Sequence, residues 1–218
     1  MATEPDGHSD REAPDPHLVE RCRAIPTSTW SDALDQAGLP GVLNGIEPRA
    51  GEGRFAGPAV TVDERVGELG SAHPSEFGID LVLPATRAGD VIVIRQAGRP
   101  PASAIGGLAA LAARRRGVAG IVIDGACRDL EELVEAGLPI WSRGLTPASG
   151  RGRVRVEGVN VPLVVDGVAV APGDMIVADT TGVVVLPRTR LRELLPLAEA
   201  RAASDARQAA ELSGPPQT

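Results

Sequence analysis

An apolar run that breaks off into charged groups is where this sequence offers chemistry. In Ile121-Val-Ile-Asp124-Gly-Ala-Cys-Arg128-Asp129 a stretch of β-formers is followed at once by two carboxylates, a thiol and a guanidinium. In open α/β sheets, ligands collect beyond the carboxyl ends of strands. Asp129 offers a hard oxygen donor suited to Mg²⁺ or Mn²⁺. Arg128 offers a permanently charged fork for a carboxylate or an enolate oxygen. The plainer reading is that Asp124-Gly125 is a turn and that Arg128 and Asp129 pair on the surface; spacing alone leaves both open. Cys127 reads as a small packing residue, since no base lies near it in sequence. Upstream, Ser103-Ala-Ile-Gly106-Gly107-Leu108-Ala109 opens a helix with two glycines. Free N–H groups there and the helix dipole favour an anion, and the missing Cβ atoms let it come close.

The residue types narrow the chemistry. All 22 basic residues are arginine. A Schiff base needs a lysine amine, so imine-forming aldolase chemistry and pyridoxal phosphate attachment are excluded, as is a phosphate-loop lysine. Histidine occurs only as His8 and His17, in or near the N-terminal tail, and as His73, which reads as a loop residue. That argues against a zinc site built on several histidines, and against a Ser-His-Asp arrangement unless His73 serves. Acid–base work then falls to carboxylates, to water at a metal, or to arginine-stabilised anions. The net charge is −7, and no basic stripe is interleaved with aromatics, so no nucleic-acid partner is expected. The run Arg114-Arg115-Arg116 reads as the end of a helix, where positive charge complements the dipole. Cys22 and Cys127 lie far apart, without disulfide or metal-ligand spacing. No stretch resembles a signal peptide or a membrane span, so a cytoplasmic protein away from membranes is expected.

These groups need a scaffold. Apolar residues make up 43% of the chain and aromatic ones only 2%, so the core must be Val, Ile, Leu and Ala: sheet strands packed with Ala-rich helices. Residues 1–16 are expected to be a disordered tail, 17–212 one continuous α/β domain, and 213–218 a frayed end. A short helix is expected from Thr29 or Ser31, capped by either hydroxyl and ended by Gly38. Strands are expected at Gly57–Val62, Val91–Ile94, Val118–Ile123 and Leu138–Trp141, and helices at Ser103–Arg116 and Leu133–Ala136. In the first of these helices Ile105, Leu108, Ala109, Leu111 and Ala112 would form the buried face. The strand–helix–strand order implies a right-handed crossover between parallel neighbours. Short strands follow at Val154–Val156, Val161–Val165, Val168–Val170, Met175–Ala178 and Val183–Leu186, split by Asp-Gly and Pro-Gly turns. A final helix is expected from about Thr189 to Leu212. Pro172-Gly-Asp-Met-Ile-Val177 echoes Ala88-Gly-Asp-Val-Ile-Val93, which reads as one turn-then-strand solution used twice.

Gly107, twenty further residues, then Arg128-Asp129 resembles the signature of the family that joins the regulator of ribonuclease activity A to the class II 4-hydroxy-4-methyl-2-oxoglutarate / 4-carboxy-4-hydroxy-2-oxoadipate aldolases. Ser31-Asp32-Ala-Leu-Asp35, Gly57-Pro-Ala-Val-Thr-Val62, Gly120-Ile-Val-Ile-Asp-Gly125, Pro139-Ile-Trp-Ser-Arg-Gly144, Pro172-Gly-Asp174 and Asp179-Thr-Thr-Gly-Val183 are similar to family blocks, over about residues 18–210. The resemblance implies a swivelling β/β/α-type domain with a C-terminal helix, assembled as a homotrimer or hexamer with active sites between subunits. It implies a lyase acting on a small α-keto acid, as aldolase, oxaloacetate decarboxylase or both. Asp129 would ligate Mg²⁺ (or Mn²⁺) alongside waters, and Arg128 would hold the keto oxygen. The amides of Gly107, Leu108 and Ala109 would hold the carboxylate, and a neighbouring subunit's Asp205, or else Glu199, would assist. The alternative is a non-catalytic trimeric regulator that binds a ribonuclease or another protein. A methyltransferase is disfavoured, for want of a glycine-rich loop with an acidic ribose ligand. The chain departs from the family's aldolases at Gly107, where they usually carry an acid, at Asp205, where they carry Glu, and at Arg95, where the strand often ends in Asp.

Overall fold

The computed structural model describes residues 15–98 and 101–213. Of the tail expected over 1–16, residues 1–14 lie outside the described residues, as do 214–218 of the expected frayed end. In chain order the elements are α1 (Pro16–Ala24), α2 (Thr27–Gln36), β1 (Val42–Leu43), β2 (Glu47–Ala50) and β3 (Phe55–Val66). Three 3₁₀ turns follow, then β4 (Val91–Arg95), β5 (Ser103–Ile105), α3 (Gly107–Arg116), β6 (Gly120–Cys127), α4 (Leu130–Ala136) and β7 (Ile140–Leu145). The chain ends with β8 (Val154–Val159), β9 (Leu163–Val165), β10 (Val168–Val170), β11 (Met175–Asp179), β12 (Gly182–Leu186) and α5 (Leu191–Leu212).

One mixed sheet runs β1-β12-β11-β3-β4-β6-β7-β2, with β5 added beside β6 and β8 beside β3. The strands β3, β4, β6 and β7 are parallel neighbours, and α3 makes the crossover from β4 to β6, as the strand–helix–strand order requires. Side chains alternate between two cores, because successive Cβ atoms of a strand point to opposite faces. Ile92 and Ile94 of β4 and Ile121 and Ile123 of β6 face Ala110, Ala113 and Leu133 of the helices. Val91, Val93 and Val122 face the other way, with Trp141 and the β9–β10 hairpin. A third core packs α1, α2 and α5 on Val177, Val184 and Leu186. The expected α/β class with a long C-terminal helix is the one found.

Several expected boundaries move. Asp15 caps α1, a helix not anticipated, by accepting from His17 N. Helix α2 starts at Thr27, not at Thr29 or Ser31, and no side chain of its own caps it; Thr27 N donates to Asp179 instead. The expected Ser103–Arg116 helix is a strand, β5, and then a helix from Gly107. Its buried face is Gly107, Ala110 and Ala113, whereas Leu108 is 88% exposed and Leu111 is also exposed. Asp124-Gly125 is not a turn: β6 runs through it to Cys127. The echoed turns share one construction. Asp90 Oδ2 accepts from Arg87 N and Asp174 Oδ2 from Ala171 N, both at 2.8 Å. The strands that follow run parallel and antiparallel to β3 respectively.

Candidate functional site

Two parallel neighbours, β5 and β6, end side by side, and the helices that follow them, α3 and α4, start together. Gly106 caps α3 with extended backbone and no side-chain hydrogen bond. The first helical bond runs from Ala110 N to Gly106 O at 3.1 Å. The amides of Gly107, Leu108 and Ala109 therefore precede the ladder, at the positive end of the helix. On the β6 side, Arg128 N donates to Ile105 O at 3.1 Å, which ties the loop to β5. Asp129 then takes the left-handed conformation, φ +58°, and starts α4. A non-glycine residue there stores strain of about 1–2 kcal/mol. That turn sends its carboxylate back toward α3: Asp129 Oδ2 accepts from Gly107 N at 3.2 Å and lies 3.3 Å from Arg128 Nε. Oδ1 has no protein donor among the described residues.

The two glycines are there because the carboxylates are close. A Cβ at Gly106 would run into Asp129 Oδ2 and crowd Arg128. A Cβ at Gly107 would lie 2.5 Å from Glu132 Cβ and 3.0 Å from its Oε2. Glu132 thus occupies the ground that a side chain at position 107 would claim. These groups line a cavity of about 810 Å³ that also takes in Phe77, Asp80, Ser103 and Arg151. The hydroxyl of Ser103 is buried and has no hydrogen-bond partner among the described residues.

The structure brings together Gly107, Leu108, Ala109, Arg128 and Asp129 around this cavity. It does not bring Asp205 or Glu199 to them within one chain. Both lie on α5, Asp205 paired with Arg201 and Glu199 with Arg21. Asp124 turns away from the cavity, buried and paired with Arg143, and Arg95 pairs with Asp63 at 2.6 Å. Cys127 is buried against Ser142 Oγ at 3.4 Å, and burial pushes its thiol pKa up, which suits packing rather than attack. Cys22 and Cys127 are both free. His73 is exposed and caps a 3₁₀ turn with Glu76. The run Arg114–Arg116 forms the last turn of α3. Sequence reasoning missed Ser103 and Glu132. For Glu132 a signal existed: it stands three residues after Asp129, on the same face of a helix.

Among the described residues no group of three His, Cys, Asp or Glu side chains could hold a metal by itself. The donor set fits a hard ion such as Mg²⁺, which keeps several waters and takes one or two carboxylates: Asp129 offers one uncommitted oxygen at an open cavity. No helix among the described residues is long and apolar enough to cross a membrane.

The model of the RraA-like family, described as Aldolase/RraA, matches residues 27–185. The chain is 36% identical, over 162 residues, to 4-hydroxy-4-methyl-2-oxoglutarate aldolase of Thermus thermophilus, covering 74% of this chain and 92% of that one. Among solved structures it resembles Streptomyces coelicolor RraAS2, an unusual member of the RNase ES inhibitor RraA protein family. The TM-score is 0.77 and the identity 30%, over 93% of this chain and 98% of the other. An uncharacterized Pseudomonas syringae protein superposes with a TM-score of 0.81 at 30% identity, over 94% of this chain and 97% of the other.

Proposed function

Since the chain belongs to the RraA-like Aldolase/RraA family, we propose that it is a divalent-metal-dependent lyase. It cleaves or decarboxylates small α-keto acids through a pyruvate enolate, as a 4-hydroxy-4-methyl-2-oxoglutarate-type aldolase, an oxaloacetate decarboxylase, or both. The observation that carries this is the meeting of Asp129, Arg128 and the Gly107 helix start at one cavity. The amides of Leu108 and Ala109 and the positive, N-terminal end of α3 bind the substrate carboxylate. Arg128 donates to the keto oxygen and meets the negative charge that grows there. Breaking the C3–C4 bond leaves its electron pair in the enolate. In decarboxylation carbon dioxide departs; in aldol cleavage the C4 hydroxyl gives its proton to the Glu132 carboxylate as the second carbonyl compound forms and departs. C3 then takes up a proton. Asp129 would hold Mg²⁺ (or Mn²⁺), which when bound polarises the same ketone as a Lewis acid. No step asks for a lysine, and the chain has none.

Glu132 answers the departure at Gly107. Its carboxylate reaches the space that an acidic residue at 107 would fill, so the site keeps an acid for proton transfer. In the assembled protein, a homotrimer or hexamer in the cytoplasm, Asp205 or Glu199 of a neighbouring subunit would complete the site. The test is pyruvate release from oxaloacetate with Mg²⁺, with EDTA, and by Asp129→Ala. The expected outcome is turnover in the first condition alone, and equal rates in all three end the reading. The second reading, a regulator that binds a ribonuclease or another protein, draws on the likeness to RraAS2. A stable partner in a pull-down, with no turnover of any keto acid tried, would favour it.

A further inference from the structure

The loop that carries Arg128 and Asp129 is set by a bulge three residues before Arg128, and that bulge is held from outside its own strand. Along β6 and β7 the register runs Ile121↔Ile140, Val122↔Trp141, Ile123↔Ser142 and then Ala126↔Gly144. Three steps on β6 answer two on β7, so β6 holds one extra residue at Asp124-Gly125. The extra residue advances β6 by one step against β7, so Ala126 and every later residue of β6 meets a different partner on β7. The placement of Arg128 and Asp129 beyond Cys127 follows from it.

Gln96, the residue just after β4, fills the gap. Its N–H donates to Asp124 O at 3.0 Å, and its side-chain Oε1 accepts from Ala126 N at 3.3 Å. A Cβ at Gly125 would collide with that Oε1, so glycine is the residue that admits the amide. The far end of the amide is fixed as well: Gln96 Nε2 donates to Glu64 Oε2 on β3 at 2.8 Å. A carboxamide turned through a half-rotation would present NH₂ to the Ala126 N–H, donor against donor. An acceptor at Glu64 forbids that rotamer. Both residues are buried. Among the described residues no guanidinium pairs with Glu64, and burial pushes its carboxyl up to about 8, against the Gln96 hydrogen bond, which lowers it. A protonated carboxyl still keeps an acceptor oxygen for the amide.

We infer that Glu64 and Gln96 are positioning residues for the catalytic loop: the carboxyl orients the amide, the amide closes the β6 bulge, and the bulge aims Arg128 and Asp129 at the Gly107 helix start. Neither touches the cavity that holds Asp129. The inference rests on the roles proposed above for Arg128 and Asp129, and its test reads the loop as well as the reaction.

The full chain is compared with Gln96→Leu, Glu64→Leu and Glu64→Gln by amide hydrogen exchange over residues 120–130 and by kcat and KM for oxaloacetate with Mg²⁺. Gln96→Leu removes both side-chain bonds at nearly constant volume. It is expected to speed exchange at 124–129 by about tenfold or more and to lower kcat by about 10–100-fold, as a small misplacement of catalytic groups does, with KM changed by less than about threefold. Glu64→Leu is expected to reproduce both effects. Glu64→Gln keeps an acceptor oxygen and is expected to restore most of what Glu64→Leu loses. Wild-type exchange at 124–129 in Gln96→Leu overturns the inference, and so does a Glu64→Gln protein no better than Glu64→Leu. If Gln96→Leu does not fold, Gln96→Asn takes its place: one methylene shorter, it cannot span both partners, and the same outcomes decide. If the wild-type protein turns over no keto acid, the proposed reaction fails, while the exchange data still decide whether the amide holds the bulge.

Discussion

Two aspartates stand at or just beyond the ends of two strands of the sheet, β11 and β6, and they are treated in opposite ways. Asp179 ends β11 and is buried. Its Oδ2 accepts from Thr27 N at 2.9 Å, and its Oδ1 accepts from Thr27 Oγ1 at 2.6 Å and from Thr181 N at 2.9 Å, with Arg54 Nε at 3.6 Å. Burial raises its pKa, yet these donors outweigh burial and hold it below the ordinary carboxylate value. Asp129 follows β6 with strained backbone and two contacts longer than 3.1 Å, both on one oxygen. A carboxylate with donors on both oxygens is committed to structure; one with an oxygen left over, facing a cavity, is available to a ligand. Sequence position does not separate them, since both stand at the end of an apolar strand.

The sharpest way to break this contrast is Asp129→Asn, because asparagine tolerates the left-handed backbone and keeps the shape. We expect a loss of about 10³-fold or more in Mg²⁺-dependent pyruvate release and an unchanged melting temperature; a lowered melting temperature with retained turnover would reverse the assignments. Arg128→Lys comes next, with a fall of about 10²-fold in kcat/KM, since an ammonium cannot replace the planar fork. Glu132→Gln, which removes the acid placed beside Gly107, should lower kcat by about 10²-fold, measured with oxaloacetate. Asp179→Ala should do the opposite of Asp129→Asn. It leaves buried donors unpaired, costs about 2–3 kcal/mol in urea unfolding, and spares kcat per folded molecule.

Stability against pH sharpens the same point through a third carboxyl. Asp179, whose folded pKa is lowered, contributes stability above the unfolded carboxylate range that is lost as pH falls through its folded value. Glu64, raised by burial from an ordinary 4.5 to about 8, behaves in reverse: its contribution is complete below 4.5 and is lost as pH rises through about 8. Glu64→Gln should therefore gain at least about 1 kcal/mol over wild type at pH 9 and little at pH 4, read from denaturant midpoints at the two values.

Where residues near in sequence decide the structure, the sequence was readable. Val91–Ile94, the β11–β12 hairpin and α5 appear close to where their patterns place them. The meeting of Gly107 with Arg128 and Asp129 follows from one crossover. Where a distant residue decides, it was not. The Asp124-Gly125 pair looks like a turn because Gln96, which turns it into a bulge, is 30 residues from Ala126 in sequence. The start of α2 at Thr27 is hidden in the sequence because its cap, Asp179, comes 152 residues later. Ser103–Ile105 looks like part of the helix because three residues carry no period, and only the pairing with β6 makes them a strand. The exposure of Leu108 reverses an apolar face that the sequence could not distinguish from Ala110 and Ala113. Asp205 and Glu199, which the resemblance gives to a neighbouring subunit's site, pair within their own chain with Arg201 and Arg21.

The site is built from two strand ends that only a closed crossover can set side by side. Gly107 and Asp129 lie 22 residues apart, and nothing holds them together until β5 has zipped onto β6. During refolding, catalysis would therefore return with parallel pairing rather than with helix content, so recovery of pyruvate release would time a folding step that circular dichroism at helical wavelengths does not see.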